Sequence, residues 1–170
     1  FSPQQALHLA KIEKDLSVKG TYFFQTGSQF YNIFEERTKA IIREIAALNH
    51  QIGVHFDIGA YKINSKVALE RYLGFEKSIL EEISLHEINV FSFHNPTIEA
   101  QSFRDKSYSN MINVYSDNIR SSFEYCSDSN GVWKDINMLD FIKNGNKKIQ
   151  ILTHPGWWLN DKNLSPNNKV

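Results

Sequence analysis

The feature that most constrains the fold is an alternation between segments rich in aromatic and β-branched residues and segments whose apolar residues recur at helical spacing. The first kind favours strands, and the second favours helices that pack one face on a core. The strand candidates are 19–27, 51–58, 88–96, 111–116, 123–129 and 148–158, and the helix candidates are 3–16, 35–49, 65–85 and 136–145. This order predicts an α/β fold with a mainly parallel sheet, because parallel strands need crossover connections. An open doubly wound sheet and a β/α barrel both satisfy the pattern.

The composition limits the size and the partners of the protein. Its 170 residues suit one domain, which we place at 1–159, and the polar segment 160–170 is expected to be a tail. Nineteen basic and nineteen acidic side chains balance, so the charge favours neither nucleic acid nor an anionic membrane as a partner. No apolar run has the length of a membrane span, and the single Cys126 excludes an internal disulfide. A neutral or locally polar ligand is expected.

The strand predicted at 51–58 carries an imidazole and a carboxylate near its carboxyl end. Strand side chains alternate between two faces, so the apolar ones share the face that packs on helices, while His55 and Asp57 share the other. In parallel α/β folds, ligands bind at the carboxyl ends of the strands. These two residues are therefore candidates for a functional site.

Three other predicted strands end in residues of the same kind. His94 ends "INVFSFH", Asp128 lies in "FEYCSDS" and His154 lies in "IQILTHP". A hydrogen-bonded place in the core or in a loop is the commoner role for any one of them, but a parallel sheet would bring all of them to one edge. Imidazole nitrogens and carboxylate oxygens suit zinc and similar divalent ions, which polarise a carbonyl and acidify water. The set therefore predicts metal-assisted amide or ester hydrolysis, and a serine nucleophile is less favoured because no G-x-S-x-G elbow occurs.

Over most of its length the sequence resembles the polysaccharide deacetylases of the NodB-homology type, carbohydrate esterase family 4. "LNHQIGVHFD" is similar to the family's "GHEIGxH" segment, whose last histidine is a metal ligand, so that role falls to His55. "SFHNP" stands at the third motif, "SDSNGVW" at the fourth and "IQILTHPGWW" at the fifth, which ends in Leu-x-His. The resemblance implies that His154 is the general acid and that Asp128 supports it. Within this family the sequence resembles a divergent branch linked to bacterial surface-polysaccharide gene clusters, which implies a cytoplasmic location.

The sequence departs from the family pattern in two places. The family's second metal histidine would fall at Gly59 or Ala60, so we expect His94, or else Asp57, to replace it. The family's first motif, an Asp pair on the first strand that supplies the base and a ligand, would lie ahead of Phe1. The resemblance thus implies a deformed (β/α)7 barrel of the NodB-homology type whose first strand is missing from this sequence.

The activity that the resemblance implies is metal-dependent hydrolysis of an N-acyl group, expected to be N-acetyl, on an amino sugar or polysaccharide. Zinc is the expected ion. The candidate metal ligands are His55, His94 and Asp57. Trp157, with Trp133 and Trp158, would offer a flat face to a sugar ring, although core packing explains a tryptophan about as well. Two alternatives stay open: a catalytically degenerate saccharide-binding domain, and a metal-dependent amidohydrolase acting on another small amide or a sugar nucleotide.

Overall fold

The computed structural model describes residues 2–133, 138–144 and 148–158 of the chain. Its α-helices are α1 Pro3–Asp15, α2 Glu36–Ala47, α3 Lys66–Ser84, α4 Ile98–Ser102, α5 Asp117–Ser122 and α6 Met138–Asn144. Its strands are β1 Thr21–Phe24, β2 Gln51–Phe56, β3 Val90–Phe93, β4 Ser107–Tyr108, β5 Met111–Asn113, β6 Phe123–Ser127 and β7 Lys148–Leu152. The predicted alternation of helix and strand is confirmed, and the predicted tail at 160–170 lies outside the described residues.

The strands form two sheets in the described part of the chain. One has the order β1-β2-β3-β5-β4, in which all neighbours are parallel except β4, which runs antiparallel to β5 at the edge. The other pairs β6 with β7 in parallel. The predicted α/β architecture with parallel strands is confirmed. Closure into a seven-stranded barrel is not seen among these strands and stays a prediction.

Two of the long helices begin with the capping residues that their sequences offer. The Ser2 hydroxyl accepts from the backbone N–H of Gln5 at 3.4 Å, and the Ser65 hydroxyl accepts from that of Ala68 at 3.2 Å. Each bond satisfies one of the N–H groups that a first helical turn leaves without an intrahelical partner. The predicted boundaries of both helices are therefore correct to within one or two residues.

The connection between β3 and β6 contains short elements that the sequence pattern does not predict. β4 and β5 form a hairpin through Ser109 and Asn110, whose φ angles are 48° and 58°. Such positive φ angles are those of a tight hairpin turn. Asn113 then donates from its side chain to the carbonyl oxygen of Phe103 at 2.9 Å, and Ser116 caps α5. The strand predicted at 111–116 is therefore shorter than expected, because the cap ends it.

The core lies between the five-stranded sheet and the helices α2 and α3. β3 is buried on both faces, as expected for an inner strand of a parallel sheet. On β2, Ile52, Val54 and Phe56 are buried, whereas His55 is only partly buried. This confirms the prediction that the apolar residues share one face of the strand and that His55 lies on the other. In the described ranges, no helix is both long and apolar enough to cross a membrane.

Candidate functional site

The sheet brings His55 and His94 together. β2 and β3 are paired in register, with His55 opposite Ser92 and Phe56 opposite Phe93, so the chain leaves both strands at the same level. The backbone N–H of His94 donates to the carbonyl oxygen of Phe56 at 2.7 Å, which extends the ladder by one residue. His55 Nε2 and His94 Nδ1 consequently lie 3.1 Å apart, with the two rings at 77° to each other. We call these two residues the imidazole pair.

A glycine on β2 makes room beside this pair. Gly53 lies opposite Phe23, and a Cβ placed on Gly53 would lie 2.7 Å from two ring carbons of Phe23. The Phe23 ring can therefore lie close against β2, where its centroid is 6.4 Å from that of His55. An apolar ring next to an imidazole reduces hydration of the imidazolium form.

The environment of His55 favours its neutral form. Burial lowers the pKa of His55 to about 3, and the charges of His94 and His154 act in the same direction. His55 Nδ1 is buried and has no hydrogen-bond partner among the described residues. A neutral imidazole is the form that binds a metal ion.

The second part of the site is a carboxylate and an imidazole at the ends of β6 and β7, which we call the dyad. Asp128 is fully buried, and its Oδ1 lies 2.6 Å from His154 Nδ1. The backbone N–H of His154 also donates to Asp128 Oδ2, at 2.8 Å. Because the carboxylate accepts from Nδ1–H, the ring is held with Nε2 directed away from it, and the His154 side chain is 30% exposed.

Both carboxylate oxygens of Asp57, a predicted metal ligand, accept hydrogen bonds. Its Oδ1 accepts from the backbone N–H of Gly59 at 2.9 Å and so caps the short 3-10 turn Ile58–Ala60. Its Oδ2 lies 3.4 Å from Nε2 of Gln25, which follows β1. A role for Asp57 as a third ligand stays a prediction.

The donor atoms fit a divalent ion in part. Two nitrogens bound to one tetrahedral zinc at ~2.0–2.1 Å are about 3.3 Å apart, close to the separation in the imidazole pair. However, across residues 2–133, 138–144 and 148–158, no three His, Cys, Asp or Glu side chains are grouped so that they could hold a metal ion. The described residues therefore supply two ligands rather than a complete set.

Of the three tryptophans predicted to face a sugar, Trp157 lies near the dyad. The backbone N–H of Trp157 donates to the carbonyl oxygen of His154 at 2.9 Å, and the two rings are 6.4 Å apart. Trp157 is thus a neighbour of the dyad, in a 3-10 turn that starts at Pro155. The side chain of Trp158 is outside the described part, and the substrate-binding role of Trp157 stays a prediction.

Two polar residues, Asn95 and Glu76, were not predicted from the sequence. The Asn95 side-chain nitrogen lies 3.1 Å from His94 Nε2. Glu76 of α3 is buried, and its Oε1 accepts from the Tyr61 hydroxyl at 2.8 Å. A signal for Glu76 was present, because it lies at helical spacing between the buried Leu73 and Leu80, where an apolar residue is expected.

Comparison by sequence finds no matching family and no matching curated protein. Comparison of the fold does find solved structures. A mutant of BA3943, a CE4 family pseudoenzyme, with restored enzymatic activity has a TM-score of 0.54 and 12% identity, over 91% of this chain and 53% of that chain. Wild-type BA3943 from Bacillus anthracis has a TM-score of 0.52 and 13% identity, over 91% and 51%. A family 4 acetyl xylan esterase from Clostridium thermocellum in complex with a cobalt ion has a TM-score of 0.49 and 14% identity, over 99% and 76%.

These similarities concern the fold. The fold is similar to that of the two BA3943 structures, and the chain spans only about half of their length, 53% and 51%. The α/β fold with parallel strands is thus similar to that of CE4 family members, which agrees with the fold expected from the NodB-homology resemblance.

Proposed function

We propose that this chain carries the site of a metal-dependent hydrolase that removes an N-acyl group, N-acetyl in the first instance, from an amino sugar or polysaccharide. The observation that carries the proposal is the combination of the imidazole pair with the dyad, in which a buried carboxylate orients a partly exposed histidine. Membership of the polysaccharide deacetylase family, the surface-polysaccharide setting and the cytoplasmic location follow from the sequence resemblance and belong to the same proposal.

The imidazole pair would hold the ion. His55 Nε2 and His94 Nδ1 are the ligands, zinc is the expected metal, and Asp57, whose two oxygens accept from Gly59 and Gln25, is the further candidate ligand. When bound, such an ion polarises the acyl carbonyl group and acidifies a water molecule. The low pKa of His55 keeps its ring neutral at neutral pH, so that only one of its two nitrogens carries a proton.

The dyad would handle the proton of the departing amine. Asp128 accepts from the His154 backbone and from His154 Nδ1–H, so the ring cannot turn without losing the bond from Nδ1. His154 Nε2 is then the nitrogen that gives a proton to the leaving group, the function that a positioned general acid supplies. Trp157, next to His154, would place a sugar ring against this edge.

A second candidate is a saccharide-binding domain without catalysis. The observation in its favour is that the described residues supply no group of three metal ligands. The fold also occurs in BA3943, which is named a pseudoenzyme. In this alternative the imidazole pair is a structural contact.

The first experiment measures metal content. Purified protein is loaded with zinc, cobalt or nickel and dialysed, with His55→Ala as the test variant and His8→Ala, an exposed histidine on α1, as the matched control. We expect about one ion per chain in the wild type and in His8→Ala, and loss of the ion in His55→Ala. Metal-free wild-type protein that still binds a saccharide would establish the second candidate instead.

The second experiment identifies the substrate. Release of acetate or formate is measured on N-acylated amino sugars, their oligosaccharides, sugar nucleotides and small amides. Turnover of saccharides alone supports the proposal, and turnover confined to sugar nucleotides or small amides assigns the site to another amidohydrolase. His154→Ala is expected to lower turnover by roughly 10²- to 10⁴-fold with an unchanged circular dichroism spectrum. Unchanged turnover in this variant would exclude His154 from the reaction.

A further inference from the structure

The two rings of the imidazole pair share a single hydrogen. At 3.1 Å, His55 Nε2 and His94 Nδ1 are at hydrogen-bond distance, so one nitrogen carries the proton and the other offers a lone pair. Each ring is neutral when it has one protonated nitrogen. The position of this one proton therefore determines the protonated nitrogen of both rings.

Two arrangements satisfy the observed contacts. In the first, the Asn95 nitrogen donates to His94 Nε2, His94 Nδ1–H donates to His55 Nε2, and the proton of His55 lies on Nδ1. In the second, the Asn95 amide is rotated by 180°, so that Oδ1 accepts from His94 Nε2–H and His94 Nδ1 accepts from His55 Nε2–H. The amide is 3.1 Å from His94 Nε2, and either of its ends can occupy that position.

The two arrangements differ at His55 Nδ1, the buried end of this series of hydrogen bonds. His55 Nδ1 has no partner among the described residues. The first arrangement leaves a buried N–H group there, whereas the second leaves a lone pair, and buried N–H groups without an acceptor are the rarer of the two defects. Asn95 is exposed, so rotating its amide displaces only solvent contacts.

We infer that Asn95 is a positioning residue, whose Oδ1 accepts a hydrogen bond from His94 Nε2–H and thereby directs the lone pair of His94 Nδ1 toward His55. The backbone suits this role, because Asn95 has a φ of 45°, a conformation that asparagine tolerates better than most residues do. Pro96 follows and limits the conformations of the loop.

If the proposed function holds, this hydrogen bond makes His94 and His55 differ in how they bind an ion. His94 offers its Nδ1 lone pair before any ion arrives, and the second ring nitrogen of a metal-ligating histidine is normally hydrogen-bonded in this way. His55 has to move its proton to the buried Nδ1 before Nε2 can bind. Asn95 therefore supports His94, the ligand that can bind an ion without first moving a proton.

The test is the tautomer of each histidine in the metal-free protein, from long-range ¹⁵N–¹H correlations at pH 8. Two histidines are internal references. His50 accepts from Gly20 N–H at Nδ1 and donates from Nε2 to the Ala10 carbonyl oxygen, while His86 Nδ1 lies 2.9 Å from the Ser84 carbonyl oxygen. We expect His94 and His55 to show the Nε2–H pattern of His50. A His94 signal with the Nδ1–H pattern of His86 would overturn the inference.

Variants at position 95 make the test specific. Asn95→Asp keeps an acceptor oxygen and should keep His94 in the Nε2–H form, whereas Asn95→Ala should give a mixture of tautomers. Asn110→Ala is the matched control, because Asn110 is also exposed and has a φ of 58°. An unchanged His94 tautomer in Asn95→Ala would contradict the role of Asn95.

Zinc affinity gives a second measurement. We expect Asn95→Ala to weaken zinc binding by roughly 10-fold or more and Asn95→Asp to preserve it. If the protein binds no zinc and turns over no substrate, the proposed function fails while the tautomers still decide the role of Asn95. If zinc binds and the tautomers are those of the first arrangement, only the inference about Asn95 fails.

Discussion

The imidazole pair and the dyad use the same residue type at the ends of parallel strands, yet their surroundings differ. In the dyad, a fully buried carboxylate accepts from both the ring and the backbone of His154. In the imidazole pair, His55 has only another imidazole as its partner, and its second nitrogen is buried without a partner in the described part of the chain. One histidine is held firmly by an anion, and the other is kept neutral by burial.

The carboxyl groups of Asp57 and Glu76 have other partners. Asp57 caps a turn, and Glu76 accepts from Tyr61, so neither is bonded to His55 or His94 in the described structure. The histidines of the pair therefore lack the anion that would favour their protonated forms. A site with one anion-bound histidine and one histidine kept neutral by burial separates the acid from that ligand, in agreement with the proposed function.

The largest effect is expected for Asp128→Asn. Asn can accept through one oxygen only and presents N–H groups to donors on His154, so the ring should lose its fixed orientation. We expect turnover of the best substrate to fall by on the order of 10²- to 10⁴-fold and the free energy of unfolding to fall by about 1–3 kcal/mol. Steady-state rates and urea unfolding measure the two effects.

The control for this variant is Asp117→Asn, which removes a carboxylate that bonds Arg104 at the surface. Both quantities should stay close to the wild type in the control. Wild-type turnover in Asp128→Asn would show that the dyad is structural. The difference between the dyad and the imidazole pair would then have no bearing on catalysis.

A smaller effect is expected for Glu76→Gln, and it depends on pH. Burial raises the pKa of Glu76 above its usual 4.5, and the charge of Asp57 adds to this. A raised carboxyl pKa stabilises the fold below the unfolded-state pKa, and this stability is lost as the pH rises through the folded-state pKa. We expect the glutamine variant to match the wild type at pH 4 and to exceed its free energy of unfolding by on the order of 1 kcal/mol at pH 8.

Urea unfolding at both pH values tests this prediction, with the exposed Glu82→Gln on α3 as the control. A variant less stable than the wild type at pH 8 would mean that Glu76 is ionised and paired in the folded protein. Glu76 would then resemble Asp128, as a buried carboxylate that is ionised and paired.

The smallest effect is expected for Asp57→Asn. Asparagine keeps the oxygen that accepts from Gly59, and Asn and Asp cap helical turns about equally well. The free energy of unfolding should change by less than about 0.5 kcal/mol. Zinc affinity, measured by competition with a chelator, should stay within about 2-fold of the wild type if Asp57 is not a ligand. A loss of 10-fold or more would identify Asp57 as the third ligand that the sequence predicts.

Local patterns in the chain are sufficient to predict the helices α1, α2, α3 and α6, most strands and the face on which His55 lies. These predictions depend on the spacing of apolar residues, a pattern that acts over a few residues. β5 lies within the strand predicted at 111–116, but its partner β4 and the turn through Ser109 and Asn110 escaped prediction, because β4 is only two residues long. Short elements contain too few side chains for a periodic pattern.

The types of residue in the site can also be read from the chain, whereas their pairing cannot. His55 and His94 meet because β2 and β3 are adjacent and in register, and Asp128 meets His154 because β6 pairs with β7. The order of strands in a sheet results from packing among distant segments, on which local spacing has no bearing. For the same reason the sequence could not show the partners of Asp57, whose carboxylate accepts from Gly59 in the turn after β2 and from Gln25, which follows the neighbouring β1.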